Sequence, residues 1–123
     1  MIPTLIRSCV TKELMPLVSG PVHDFVDVED LVDALLLIEA KGLFEGEVYE
    51  IGTGKQTTNN EIKDMVEEEM GLKANLKITK NLRNYDTKTW KANPEKILSL
   101  GWKPKRTIRD SIRRMIADYW PGV

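Results

Sequence analysis

Apolar residues recur at helical spacing in several stretches of the chain. The clearest stretch begins after Asp27 or Glu29 and continues to about Lys41, and Gly42 is a plausible C-cap. Its apolar positions form a wide stripe, which we expect another surface to cover. These positions are Leu31, Val32, Leu35, Leu36 and Ile38.

The remaining helices carry recognisable start and stop signals. Pro3 predicts a short first helix, because proline is tolerated in the first turn. The segment from Thr58 to Glu61 fits a capping box, and the helix it opens should end at Gly71. Two further helices are predicted over Pro94–Leu100 and from about Thr107 to Trp120.

Four shorter runs are typical of strands. Two of them, Leu14–Val18 and Asp24–Val28, are separated by a turn at Ser19-Gly20-Pro21. The other two are Glu47–Ile51 and Leu76–Thr79. Helices and strands alternate, so the class should be α/β, with residues 1–123 in a single domain.

Composition agrees with one modest globular unit of 123 residues, of which 41% are hydrophobic and 30% charged. No apolar run approaches the roughly 20 residues that span a bilayer, and the first ten residues do not resemble a signal peptide. We therefore expect a soluble, cytoplasmic protein with no membrane contact. The formal net charge of −1 gives no electrostatic reason to expect nucleic-acid binding.

Neither the cysteine nor the charged stretches indicate a reactive site. Cys9 is the only cysteine and His23 the only histidine, too few for a zinc site, and we expect a buried, inert thiol. The basic C-terminal run and the acidic face of residues 64–69 are interpreted as solvated faces.

The glycine turn Gly52-Thr53-Gly54 follows a predicted strand and precedes a helix, as in a dinucleotide-binding fingerprint. Thr57 stands where the third glycine or an alanine is needed, and no acidic residue follows the next strand. A P-loop is excluded as well, because Gln56 follows Lys55 where serine or threonine is required. We interpret the segment as a tight turn that binds no cofactor.

Four segments together resemble the extended short-chain dehydrogenases/reductases. Residues 23–34 (HDFVDVEDLVDA) are similar to their RDFVYVDDLVDA segment, and residues 48–54 (VYEIGTG) to VYNIGTG. Residues 83–86 (RNYD) resemble RxGD, and Lys96 with residues 100–104 (LGWKP) resembles K…LGWKP. The order and spacing match nucleotide-sugar epimerases and 4,6-dehydratases.

The resemblance implies a specific part of such an enzyme. Family members have an N-terminal Rossmann domain that binds NAD(P) and a smaller C-terminal lobe that holds the nucleotide-sugar. Their chemistry uses a Tyr-x-x-x-Lys pair, whereas the residues four positions after the three tyrosines here are Thr53, Thr89 and Val123. We therefore expect a truncated chain, namely the small C-terminal lobe of an extended short-chain dehydrogenase/reductase without the N-terminal Rossmann domain. By itself, this chain should bind no cofactor and should be inactive.

The resemblance also assigns substrate-binding residues. Arg83 should contact the diphosphate and Asp86 the ribose hydroxyls, which suits a forked cation and a carboxylate. His23 stands where the family has a second phosphate-binding arginine, and Asp27 replaces a tyrosine, so both should weaken diphosphate binding. The alternatives are a structural His23 and a surface pair of Arg83 and Asp86.

Two functions stay open at this stage. In the first, the chain is a nucleotide-sugar-binding module or half of a split enzyme whose cofactor-binding domain is a separate chain. In the second, it is a remnant protein or an oligomeric scaffold that binds no nucleotide-sugar. An uncovered apolar helix face predicts a homo-oligomer in the absence of the cofactor domain. Trp90 and Trp102 could stack on a base, although core packing is favoured for Trp102.

Overall fold

The computed structural model describes residues 1–80, 84, 86 and 88–122. Helices and short strands alternate along it, as expected for the α/β class. In chain order, the elements are α1 (Ile2–Thr11), β1 (Met15–Val18), β2 (Val22–His23), α2 (Val28–Lys41), β3 (Thr57–Thr58), α3 (Asn59–Met70), β4 (Leu76–Thr79), α4 (Glu95–Ser99) and α5 (Ile108–Tyr119).

The described strands form two separate two-stranded sheets. Strands β1 and β4 are parallel, with Met15 opposite Leu76. Strands β2 and β3 are antiparallel, with Val22 opposite Thr58. The parallel pair brings the first quarter of the chain beside residues that follow α3.

Two predicted strands are wrong. The strand placed at Asp24–Val28 lies earlier, at β2, because Asp24 turns its carboxylate toward the backbone of residues 53–54 and Asp27 caps α2. The segment Glu47–Ile51 is not in a strand, and no described strand pairs with it. Its residues alternate between half-buried and exposed, as in a strand, which explains why their sequence pattern predicted one.

Helix boundaries follow the predicted capping signals. Thr58 and Glu61 form the expected capping box, and Gly71 ends α3 with a left-handed φ of 63°. Gly42 follows α2, and its amide donates to the carbonyl of Ile38. Thr107 and Asp110 form a second capping box at the start of α5.

The larger hydrophobic core lies among α1, β1, α3 and α5. Its fully buried side chains come from all four elements, which fixes their mutual positions. They include Leu5, Ile6, Leu17, Ile62, Val66 and Ile112.

A second, smaller core joins α2 to α4. Ala34 and Ile97 are fully buried beside Trp102, whose indole N–H donates to the carbonyl of Asp30 over 2.9 Å. This confirms core packing for Trp102. The opposite side of α2 is different, because Val32 and Leu36 are about half exposed and no described element covers them.

Candidate functional site

An open cavity of about 500 Å³ lies beside β1. It brings together His23 and Asp86, two of the three residues assigned to substrate binding from the sequence. The third, Arg83, lies outside the described residues. Side chains from β1, from Met1 and Thr4 of the N-terminal segment and from the start of α3 complete the lining.

Asn59 is a cavity residue that the sequence reasoning missed. Its side-chain amide donates to the carbonyl of Val18 over 2.8 Å, and its backbone N–H donates to the carbonyl of Pro21 over 3.2 Å. These bonds fix the start of α3 against the end of β1. The only sequence signal for Asn59 was its position directly after the Thr58 cap.

Three aromatic rings are adjacent to one another, and two of them, His23 and Trp90, line the cavity. The rings of His23 and Phe25 are 5.8 Å apart at 73°, an edge-to-face contact. On its other side, His23 lies 6.0 Å from the ring of Trp90 at a tilt of 50°. Trp90 lines the cavity, yet more than half of its surface is exposed.

The carboxylate of Asp24 connects several segments near these rings by hydrogen bonds. It accepts hydrogen bonds from the Thr53 N–H (2.9 Å), the Thr53 hydroxyl (2.6 Å), the Gly54 N–H (2.8 Å) and the Ala92 N–H (3.1 Å). One side chain thereby joins the residue next to His23, the glycine turn and the segment that carries Trp90. Such a fully bonded carboxylate acts as a structural fixed point.

The same contacts fill the space around the glycine turn with protein groups. A Cβ at Gly52 would lie 2.6 Å from the Cβ of Ala92 and 2.8 Å from Oδ2 of Asp24, so the space beside the glycine is already filled. The N–H groups of Thr53 and Gly54 donate to Asp24, a negative group that would repel a phosphate. The described residues therefore offer no pyrophosphate cradle at this turn.

Asp27 is not among the residues that line the cavity, and the expectation that it weakens diphosphate binding stays a prediction. Its buried carboxylate points away, toward α5, and accepts from the hydroxyl of Ser111 and from Arg114 over 2.6 Å. Burial alone would raise the pKa of Asp27. The hydrogen bonds from Ser111 and Arg114 outweigh burial and lower this pKa to about 2.

Asp30 makes a parallel connection one helical turn further along α2. Its fully buried carboxylate accepts from the backbone N–H groups of Lys105 and Arg106, over 3.0 and 2.9 Å, and from the Arg106 guanidinium over 2.6 Å. Asp27 and Asp30 together fasten the N-terminus of α2 to α5 and the segment before it.

The interpretation of the charged stretches as solvated faces is wrong for part of them, because the two stretches pair with each other. Arg109 of α5 contacts Glu68 over 2.8 Å and Glu69 over 2.7 Å, and Arg113 contacts Glu69 over 2.8 Å. Helices α3 and α5 are thus bridged by ion pairs at the edge of the larger core.

Other kinds of site are not supported. Cys9 is fully buried, and burial raises the pKa of its thiol, which confirms an inert cysteine. Among the described residues, no group of three or more histidine, cysteine or carboxylate side chains could hold a metal ion. Within the same part of the chain, every helix is too short or too polar to cross a membrane.

Comparison with known proteins identifies a family. The chain is 31% identical over 108 residues to a putative UDP-glucose 4-epimerase of Methanocaldococcus jannaschii, covering 85% of this chain and 34% of that protein. It is 32% identical over 112 residues to GDP-L-fucose synthase 1 of Arabidopsis thaliana, covering 85% of this chain and 32% of that protein. It therefore spans about a third of the length of these curated relatives. No family model matches the chain.

The fold agrees with the sequence relatives. A solved UDP-glucose 4-epimerase of Thermotoga maritima, which contains UDP-glucose, superposes with a TM-score of 0.79 and 25% identity. The match covers 94% of this chain and 37% of that one. The chain belongs to the NAD-dependent nucleotide-sugar epimerase/dehydratase family of extended short-chain dehydrogenases/reductases, and it corresponds to their C-terminal portion.

Proposed function

We propose that this chain binds a nucleotide-sugar in the cavity beside β1. The observation that carries the proposal is the meeting of His23 and Asp86, from distant parts of the sequence, in one open cavity of about 500 Å³. That size is within the range of small-molecule sites. The Thermotoga maritima relative contains UDP-glucose, which supports this ligand class.

Each assigned residue has a role that suits its chemistry. The Asp86 carboxylate would accept hydrogen bonds from two neighbouring ribose hydroxyls, and His23 would donate to a phosphate oxygen. Arg83, which the family resemblance assigns to the diphosphate, would supply the forked positive charge. The sequence places Arg83 three residues before Asp86, so both would act on the same end of the ligand.

By itself, this portion would bind the ligand without transferring hydride. None of its three tyrosines is followed at the fourth position by lysine, and the glycine turn is filled by Asp24 and Ala92. Redox chemistry would require NAD(P) held by a separate cofactor-binding domain, on the same polypeptide or another one. The chemistry that NAD(P) supplies in such a complex is reversible acceptance of hydride from the sugar.

A thermal-shift panel of UDP-, GDP-, CDP- and dTDP-sugars tests the proposal. We expect at least one sugar nucleotide to raise the melting temperature at millimolar concentration, because a ligand that binds only the folded state stabilises it. Asp86→Ala and Arg83→Ala should reduce that shift. Asp118→Ala, on the exposed surface of α5, is the matched control and should keep it.

Two results would argue against the site. If no nucleotide-sugar raises the melting temperature, the proposed function is refuted. If the rise persists in both Asp86→Ala and Arg83→Ala, the ligand binds elsewhere.

A second candidate function is an oligomeric scaffold that binds no nucleotide-sugar. The observation in its favour is the exposed apolar stripe of α2, where Val32, Leu35 and Leu36 are each about half exposed. Light scattering at high micromolar concentration tests self-association, with Leu35→Glu as the disrupting variant. A monomer at all concentrations would rule out this candidate.

A further inference from the structure

We propose that Trp90 is the stacking platform for the nucleobase of the bound nucleotide. This inference rests on the proposed function and adds a residue and a contact to it. Among the described residues, Trp90 is an exposed aromatic side chain that lines this cavity.

The three tryptophans of the chain have different environments. Trp102 is 5% exposed and belongs to the smaller core, and Trp120 packs against the larger one. Trp90 is 58% exposed and is in neither core, although it lines the cavity. A large aromatic side chain at the edge of a cavity is suited to contact with a ligand, because such sites are lined mainly by hydrophobic and aromatic side chains.

The backbone from Trp90 to Asn93 is held by three hydrogen bonds. The N–H of Trp90 itself donates to the side chain of Gln56 over 2.8 Å. The Ala92 N–H donates to Asp24 over 3.1 Å, and the Asn93 N–H donates to Glu50 over 2.8 Å. A backbone fixed by such contacts loses less conformational entropy when a ligand binds beside it.

The surroundings of the indole suit a flat heterocycle. The His23 ring contacts it at a tilt of 50°, which is not a parallel stack. The cavity lining also includes Met15, Leu17 and Val18 of β1, which are apolar. A nucleobase has a planar π-face that can stack on the indole, whereas the ribose would lie toward Asp86 and the diphosphate toward His23.

The test is calorimetric titration with UDP and GDP, with pyrophosphate as a probe that has no base. Loss of one base–aromatic stack weakens binding about 5- to 150-fold, so Trp90→Ala should weaken nucleotide binding by that factor. Pyrophosphate affinity should not change. Trp90→Phe should keep most of the affinity because it retains a ring, and Tyr119→Ala, another exposed aromatic, should behave as wild type.

Tryptophan fluorescence provides a second readout. Nucleotide binding should quench part of the wild-type emission, and this quenching should be absent in Trp90→Phe although that variant still binds. If the wild-type chain binds neither UDP nor GDP, the proposed function and this inference both fail. If it binds and Trp90→Ala binds equally well, or loses pyrophosphate to the same degree, only the role of Trp90 is refuted.

Discussion

Asp27→Asn should destabilise the fold in a way that depends on pH. The substitution keeps the shape of the side chain and removes its charge beside Arg114. The carboxylate is buried, and it accepts hydrogen bonds from Ser111, Arg114 and the backbone N–H of Glu29. The single amide oxygen of asparagine can replace only one carboxylate oxygen, so the variant loses the charge beside Arg114 and the acceptor either for the Glu29 N–H or for Ser111 and Arg114.

The magnitude follows from proton linkage. The pKa of Asp27 falls from an ordinary 3.8 to about 2 in the folded chain. At about 1.4 kcal/mol per pKa unit, the ionised carboxylate contributes about 2 kcal/mol to the free energy of unfolding. Because the folded pKa is the lower one, this contribution is complete above the unfolded value and is lost as pH falls from about 4 to about 2.

Urea unfolding of both proteins at several pH values between 2 and 7 measures this difference. We expect Asp27→Asn to be less stable by about 2 kcal/mol near neutral pH, with the gap closing below pH 4. Asp33→Asn, on the same helix, removes an exposed ion pair with Lys105 and should have a much smaller effect. A gap between wild type and Asp27→Asn that stays constant down to pH 2 would refute the linkage argument.

Two other substitutions test the local structure. Gly52→Ala should lower the free energy of unfolding by about 1–3 kcal/mol, because the added Cβ would overlap Ala92 and Asp24. In urea unfolding, partial recovery of stability on adding Ala92→Gly would support this close approach. An unchanged stability of Gly52→Ala would contradict the close approach. Thr58→Ala removes the oxygen that accepts from the Glu61 N–H and should cost about 1 kcal/mol in thermal unfolding, whereas an unchanged melting temperature would show that the capping box contributes nothing.

Local signals in the sequence predicted the helices well. The capping box at Thr58 and Glu61 and the stop at Gly71 are local chemistry, so α3 could be placed without any tertiary information. Strands depend on a partner, and the alternating segment Glu47–Ile51 has none among the described strands.

Long-range contacts could not be read from the chain. In the sequence, Asp27 stood out only as a departure from the tyrosine of the family. Its structural role could not be predicted, because its partners on α5 are more than eighty residues away. The pairing of the acidic and basic stretches escaped prediction for the same reason, since only the packing of α3 on α5 brings Glu69 to Arg109 and Arg113. The association of His23 with Asp86 was implied only by the family resemblance, and the role of Asn59 in the cavity had no sequence signal beyond its place after a cap.

The central claim is that the cavity beside β1 binds a nucleotide-sugar. Titration of the ¹⁵N-labelled chain with UDP-glucose and a GDP-sugar, followed by the movement of backbone amide signals, tests this claim most directly. We expect saturable changes at the amides of Val18, His23, Asn59 and Trp90, with the exposed face of α5 unaffected. Absence of any change at millimolar ligand, or changes confined to the glycine turn and Lys55, would contradict the account.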